Sequence, residues 1–165
     1  MTPDAPRALP RLVIRPDDLT GEAIALFLRA HLHHMRAITP PGSVHALDLA
    51  GLRAPAVTFW SVWEGEELVG CGALKELDPR TGEVKSMRTA EAHRRKGIGT
   101  RMLAHIESEA LRRGYHVLKL ETGALPAFAA GRALYERHGF VRCGPFGSYT
   151  DDPNSVFMTK ALVHS

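Results

Sequence analysis

His93-Arg94-Arg95-Lys96-Gly97-Ile98-Gly99-Thr100 joins a predicted strand to the best helical pattern in the chain. From Ile98 to Arg113 the apolar residues Ile98, Met102, Leu103, Ile106 and Ala110 recur at helical spacing, and Gly114 stops the pattern. A helix start offers unsatisfied N–H groups and about half a positive charge. Gly97 and Gly99 let the backbone come close to a ligand, and three basic side chains lead in. A loop built this way holds a phosphate or pyrophosphate. No Lys-Ser/Thr follows the glycines as in a Walker A loop, and the third glycine of a dinucleotide fingerprint is missing. Taken alone, a glycine turn with a solvated basic face explains the same residues.

The flanks read as alternating strands and helices. Arg11–Arg15 forms a short strand closed by Pro16, and Thr20 caps a helix through Arg36 whose stripe is Ile24, Phe27, Leu28, His31 and Met35. Pro40-Pro41-Gly42 breaks the chain, and a short helix is expected within Ala46–Leu52. Ala56–Trp63, Leu68–Leu77 and Glu83–Thr89 are strands joined by tight turns, hence an antiparallel meander. After the long helix come a strand at Val117–Glu121, a helix at Pro126–His138, and strands at Phe140–Cys143 and Ser155–Ala161. This order predicts an α/β or α+β fold around a mixed sheet.

The 165 residues suit one domain, 44% hydrophobic and 24% charged, which excludes a disordered chain, a collagen or a coiled coil. The apolar run Ala23–Leu28 is far shorter than the ~20 residues of a membrane helix. Residues 1–10, with three prolines, read as a loose arm and not a secretory leader, and 11–165 as a single domain in the cytoplasm. The net charge is +3, and 16 of the 21 basic residues are arginine, which suits an anionic ligand. No aromatic residue interleaves with His93–Lys96 or Arg112–Arg113, so nucleic acid is not expected. Cys71 and Cys143 form no CxxC pair, and His31-x-His33-His34 has no carboxylate or thiol close in sequence. No metal site is expected.

The second half of the chain resembles the GNAT superfamily of acetyl-CoA-dependent N-acetyltransferases. Arg94-x-x-Gly97-x-Gly99 matches its pyrophosphate loop. Ala133-Leu134-Tyr135-x-x-x-Gly139-Phe140 matches its second signature. The resemblance covers Glu66–Lys160 well, the N-terminal third more weakly, and points to a bacterial subgroup of small acetyltransferases. It implies a mixed, mostly antiparallel sheet with helices on both faces and a central splay between two parallel strands, here Glu83–Thr89 and Val117–Glu121. It places acetyl-CoA in that splay, its pyrophosphate on the N–H groups of Arg94, Arg95, Lys96, Gly97, Ile98, Gly99 and Thr100. The pantetheine then runs along Met87, Arg88 and Thr89. Unpaired N–H groups of a splayed strand can also polarise the thioester carbonyl. Phe128 stands where the family often has an asparagine, so the cofactor wall is more apolar than usual.

The resemblance also bears on catalysis. Tyr135 falls where the family often places a tyrosine that protonates the departing thiolate; a core aromatic is the other reading. Glu83 matches the place of a glutamate base, and period-2 geometry puts Glu83, Lys85, Met87 and Thr89 on one face. It is equally read as a turn carboxylate paired with Lys85 or Arg80, and Glu121 is the second candidate base. The acceptor region takes in His31, His33, His34, Met35, Arg36, Ser43, His45, Trp60, Trp63, Tyr149 and Asn154, and His34, His45, Trp60, Lys85 and Glu121 are its candidate contacts. Trp60 and Trp63 lie on opposite faces, so at most one lines it. Lys85, Arg88, His45 and Arg36 give the region a positive tilt, which suggests a small-molecule amine bearing an anionic group. A protein lysine or N-terminus as acceptor, and a non-catalytic acetyl-CoA-binding module, are the alternatives. A homodimer is expected only at family level.

Overall fold

The computed structural model describes residues 11–44 and 49–163. The expected arm at 1–10 and His45 lie outside them. One seven-stranded sheet has the order β1-β2-β3-β4-β5-β7-β6. Its strands are β1 (Leu12–Pro16), β2 (Val57–Glu64), β3 (Glu67–Asp78), β4 (Thr81–Thr89), β5 (Val117–Gly123), β6 (Val141–Cys143) and β7 (Ser155–Ala161). The helices are α1 (Glu22–Ile38), α2 (Leu49–Leu52), α3 (Ile98–Arg112) and α4 (Ala129–Arg137). The expected meander is β2, β3 and β4, paired antiparallel. The predicted last helix begins as a 3₁₀ turn, Pro126–Phe128, before α4.

Hydrophobic burial assigns the two faces. Every residue of the predicted α3 stripe is at most 2% exposed, and α3 packs with Val84, Leu118, Leu120 and Tyr135 on one face. Ile24 and Leu28 of α1 and Leu52 of α2 pack with Phe59, Cys71 and Ala73 on the other. The start of α1 differs from expectation. Gly21 is its N-cap, because the Thr20 hydroxyl donates to Asp18 Oδ1 at 2.6 Å.

The middle of the sheet opens. The parallel pair β4 and β5 is in register only from Thr81–Val117 to Glu83–Lys119. Beyond Glu83 the two strands part, leaving the rest of β4 bonded to β3 alone. A second irregularity lies on that side: Cys71 pairs with Arg88 but Ala73 with Lys85, so Ser86 and Met87 together oppose Gly72. Ser86 takes φ 54. This β-bulge inserts one residue and reverses the alternation beyond it. The Cys71 thiol donates to the Ser86 carbonyl at 3.1 Å.

Candidate active site

The loop before α3 is built from left-handed backbone. Arg95 has φ 67 and Gly97, the N-cap of α3, has φ 77. No side chain caps the helix, so its first N–H groups are left to a ligand or solvent. A Cβ at Gly97 would meet nothing within 4 Å. Arg94, Arg95 and Thr100 are exposed and Ile98 is buried. The Lys96 side chain is turned back toward the sheet. Its ammonium donates to His93 Nδ1 at 2.9 Å and lies 3.7 Å from Glu64 Oε2. His93 Nε2 in turn bonds Glu67 Oε1 at 2.8 Å. Lys96 and the buried His93 thus fasten the loop to the β2–β3 hairpin.

A cavity occupies the splay. It is lined by Val84, Lys85, Ser86 and Met87 of β4, by Glu121, Thr122 and Gly123 of β5, and by Phe128 and Tyr135. His31 and Met35 of α1, with Thr39, Ser43 and Asn154, form its other wall. The apolar stripe of α1 therefore serves two purposes: Ile24 and Leu28 fill the core, while His31 and Met35 face the cavity. The Phe128 ring rests on Gly123 so closely that a Cβ there would lie 2.1 Å from Cδ2. Ser43 donates to Asp152, and Asn154 Nδ2 to Ser43 Oγ at 3.4 Å, joining the segment after α1 to the β6–β7 connection.

Glu83 also lines this cavity, on the α1 side. It is no exposed turn residue: its side chain is 3% exposed and that of Lys85 9%. Lys85 Nζ sits 3.1 Å from Glu83 Oε2. Tyr149 Oη donates to the same oxygen at 2.6 Å and accepts from Lys85 Nζ at 2.9 Å. The sequence places Tyr149 in this region without indicating its partner. No pairing of Glu83 with Arg80 is found among the described residues.

Several expected contacts fall elsewhere. The bulge separates Glu83 and Lys85 from Met87, which packs with the cluster under α3, so the four residues from Glu83 to Thr89 do not share a face. Arg88 turns toward α1, close enough to His31 to act on its charge, and does not line the cavity. Trp60 is 4% exposed in the core under α3, edge-on to His105 at 5.0 Å, because its register on β2 points it away from α1. Trp63 caps the surface beneath Arg15, so neither tryptophan reaches the cavity. His34 is exposed on α1, about a turn beyond His31. The positive tilt is weakened, since Glu83 neutralises Lys85 and Glu121 adds a carboxylate to the wall. Among the described residues no group of three or more His, Cys, Asp or Glu could hold a metal, and no helix is long and apolar enough to cross a membrane.

Burial shifts two groups on the wall. It pushes the Tyr135 phenol well above its ordinary value, with a further push from Glu121. It holds His31 down at about 4, helped by the charges of Arg88 and His34. The unfolded chain binds that proton near 6.5, so between these values it holds more protons than the folded one and stability rises with pH. The melting temperature should therefore fall as pH drops from 6.5 toward 4. His31→Gln should flatten the decline by about 2 kcal/mol or less, measured by thermal melts of both proteins over that range. Parallel curves would remove His31 as the cause.

The description "Acetyltransferase (GNAT) family" belongs to the family model that matches residues 24–140. YsnE of Bacillus subtilis, an uncharacterized N-acetyltransferase, is 56% identical over 149 residues, which span 90% of this chain and 99% of YsnE. YedL of Escherichia coli, another uncharacterized N-acetyltransferase, is 49% identical over 92% of this chain and 96% of its own length. The crystal structure of a Klebsiella pneumoniae protein described as an acyl-CoA N-acyltransferase by assignment is similar with a TM-score of 0.75 and 30% identity, covering 92% of this chain and 98% of that one.

Proposed function

This chain belongs to the GNAT family of acetyltransferases, and from that premise we propose that it acetylates the amine of a small molecule by direct attack in a ternary complex. The observation that supports this best is one cavity, in the splay, walled by a carboxylate with donors on a single oxygen and by a buried phenol. Its acceptor end is bridged by the Ser43, Asp152 and Asn154 contacts, which suits a small acceptor more than a protein chain.

The residues present fit acetyl-CoA, the acetyl donor of the family. The uncapped start of α3 and the open space at Gly97 would take its pyrophosphate. Thr89, Met87 and Phe128 would flank its arm, with Arg94 and Arg95 at the phosphate end. When bound it supplies the acetyl group as a thioester, whose C–S bond breaks as the N–C bond forms. The N–H groups of β4 that the splay leaves without a β5 partner would polarise the thioester carbonyl. Glu83 takes the amine proton on Oε1, the oxygen that no donor among the described residues reaches. Tyr135 keeps its own proton at working pH and donates a hydrogen bond to the leaving sulfur. With its pKa raised above 10, full transfer to a thiolate near 8.5 is uphill, so its service is the hydrogen bond.

The test is turnover, read as thiol release, with a panel of amino acids, aryl amines, aliphatic amines and a lysine peptide. Acetylation of small amines is expected. Activity on the peptide alone would assign a protein acceptor, and acetyl-CoA binding without turnover a binding module. Tyr135→Phe should lower kcat about tenfold or more while the KM for acetyl-CoA stays within about twofold, because the bond is made as sulfur leaves. A kcat within about twofold of the unaltered enzyme would reduce Tyr135 to packing against Phe140.

A further inference from the structure

We propose that Tyr149, with Lys85, is a positioning residue that locks the Glu83 carboxylate, holding Oε2 so that Oε1 is presented to the acceptor amine. This rests on the reading of Glu83 as the base. Tyr149 lies in the connection between β6 and β7 and is absent from the cavity wall; its hydroxyl meets the site at the Glu83 carboxylate, and the Glu121 charge also acts on its phenol. The three polar groups close a ring: Tyr149 Oη to Oε2 at 2.6 Å, Lys85 Nζ to Tyr149 Oη at 2.9 Å, and Lys85 Nζ to Oε2 at 3.1 Å. Both donors converge on one oxygen. That fixes the last torsion of a side chain which otherwise turns freely, and a proton acceptor works only within hydrogen-bond reach of its target.

The lock is itself anchored. The Tyr149 ring packs against Phe146 at 5.0 Å and Phe157 of β7 at 5.5 Å, and its N–H bonds the Phe146 carbonyl at 3.0 Å. The hydroxyl is thereby referred to the strand that pairs with β5, while Glu83 and Lys85 stand on β4. The ring of hydrogen bonds spans the splay and sets the carboxylate relative to both of its sides. Burial, then the Glu83 charge, pushes the phenol pKa upward, so the hydroxyl remains a donor.

A double-mutant cycle tests this. Tyr149→Phe should lower kcat about tenfold, with the KM of each substrate within about twofold and the melting temperature nearly kept, since the aromatic packing survives. In a Glu83→Gln background the same change should alter kcat by less than about twofold. Lys85→Met, cycled likewise, gives a second reading if Tyr149→Phe does not fold. An unchanged kcat in Tyr149→Phe, or an equal loss in both backgrounds, would overturn the lock. Glu83→Gln alone with an unaltered kcat and pH profile would instead overturn the base, a result visible without the cycle.

Discussion

Gly97→Asp is expected to weaken acetyl-CoA binding by about 100-fold or more with the fold retained. Gly97 is the left-handed N-cap of α3, and a Cβ there projects into open space. Aspartate tolerates this conformation better than most residues, at a cost of about 1–2 kcal/mol. A negative charge at the helix start returns about 0.3–1 kcal/mol through the dipole. It does so by taking the place of a phosphate oxygen and by repelling the rest of the pyrophosphate. Losing two charge-assisted hydrogen bonds of about 1.5 kcal/mol each already accounts for that factor. Titration calorimetry on the folded variant reads it, and a Kd within about threefold of the unaltered protein would remove the loop from the cofactor site. Gly99 is a poorer place for the experiment. Its Cβ would come 3.0 Å from Leu134 Cδ2, so a change there disturbs the contact between α3 and α4 as well as the charge.

Glu83→Gln should cost about 10²–10⁴ in kcat at neutral pH, with partial recovery at high pH where more of the acceptor is already the free amine. The acidic limb of the pH–rate profile should move or flatten, and two acceptors of different amine pKa separate that effect from the acceptor's own titration. Stability should also fall. The pair with Lys85 is buried, so the 0–1 kcal/mol of an exposed pair does not apply. Removing one partner of a buried pair costs about 3–5 kcal/mol when nothing replaces it. Glutamine keeps a carbonyl for Tyr149 and Lys85, so about 1–3 kcal/mol is expected, read from denaturant melts. A profile of unchanged shape with a lowered melting point would leave Glu83 structural and move the base to Glu121 or water.

Local chemistry made much of this legible. The α3 stripe, the glycines before it and the meander all follow from periodicity and turn residues, and they are where the sequence places them. The splay came through two short motifs and the family they resemble. What escaped is non-local or irregular. Counting by twos along β4 presumes an unbroken ladder. Ser86 enters the left-handed region without being a glycine, so no residue type announces the bulge that turns Arg88 toward α1. Glu83 and Tyr149 are 66 residues apart, and only the pairing of β5 with β7 brings them together. Trp60 and His31 show the converse. A strand residue's face depends on register, and one turn of α1 decides between the cavity and solvent, so that His31 lines the cavity where His34 does not.

The Cys71 thiol, sealed in the core at 1% exposure, is pushed up to about 12 by burial and spends its hydrogen on the bulge. A thiolate must attack the disulfide reagent for labelling to occur, so Cys71 should be silent in the native protein while the partly exposed Cys143 is labelled. An assay that counts released CoA with such a reagent should then carry a background of one protein thiol, not two. The second equivalent should appear only as the strand pair around Ser86 opens, and its rate of appearance times the opening of the sheet beside the cavity.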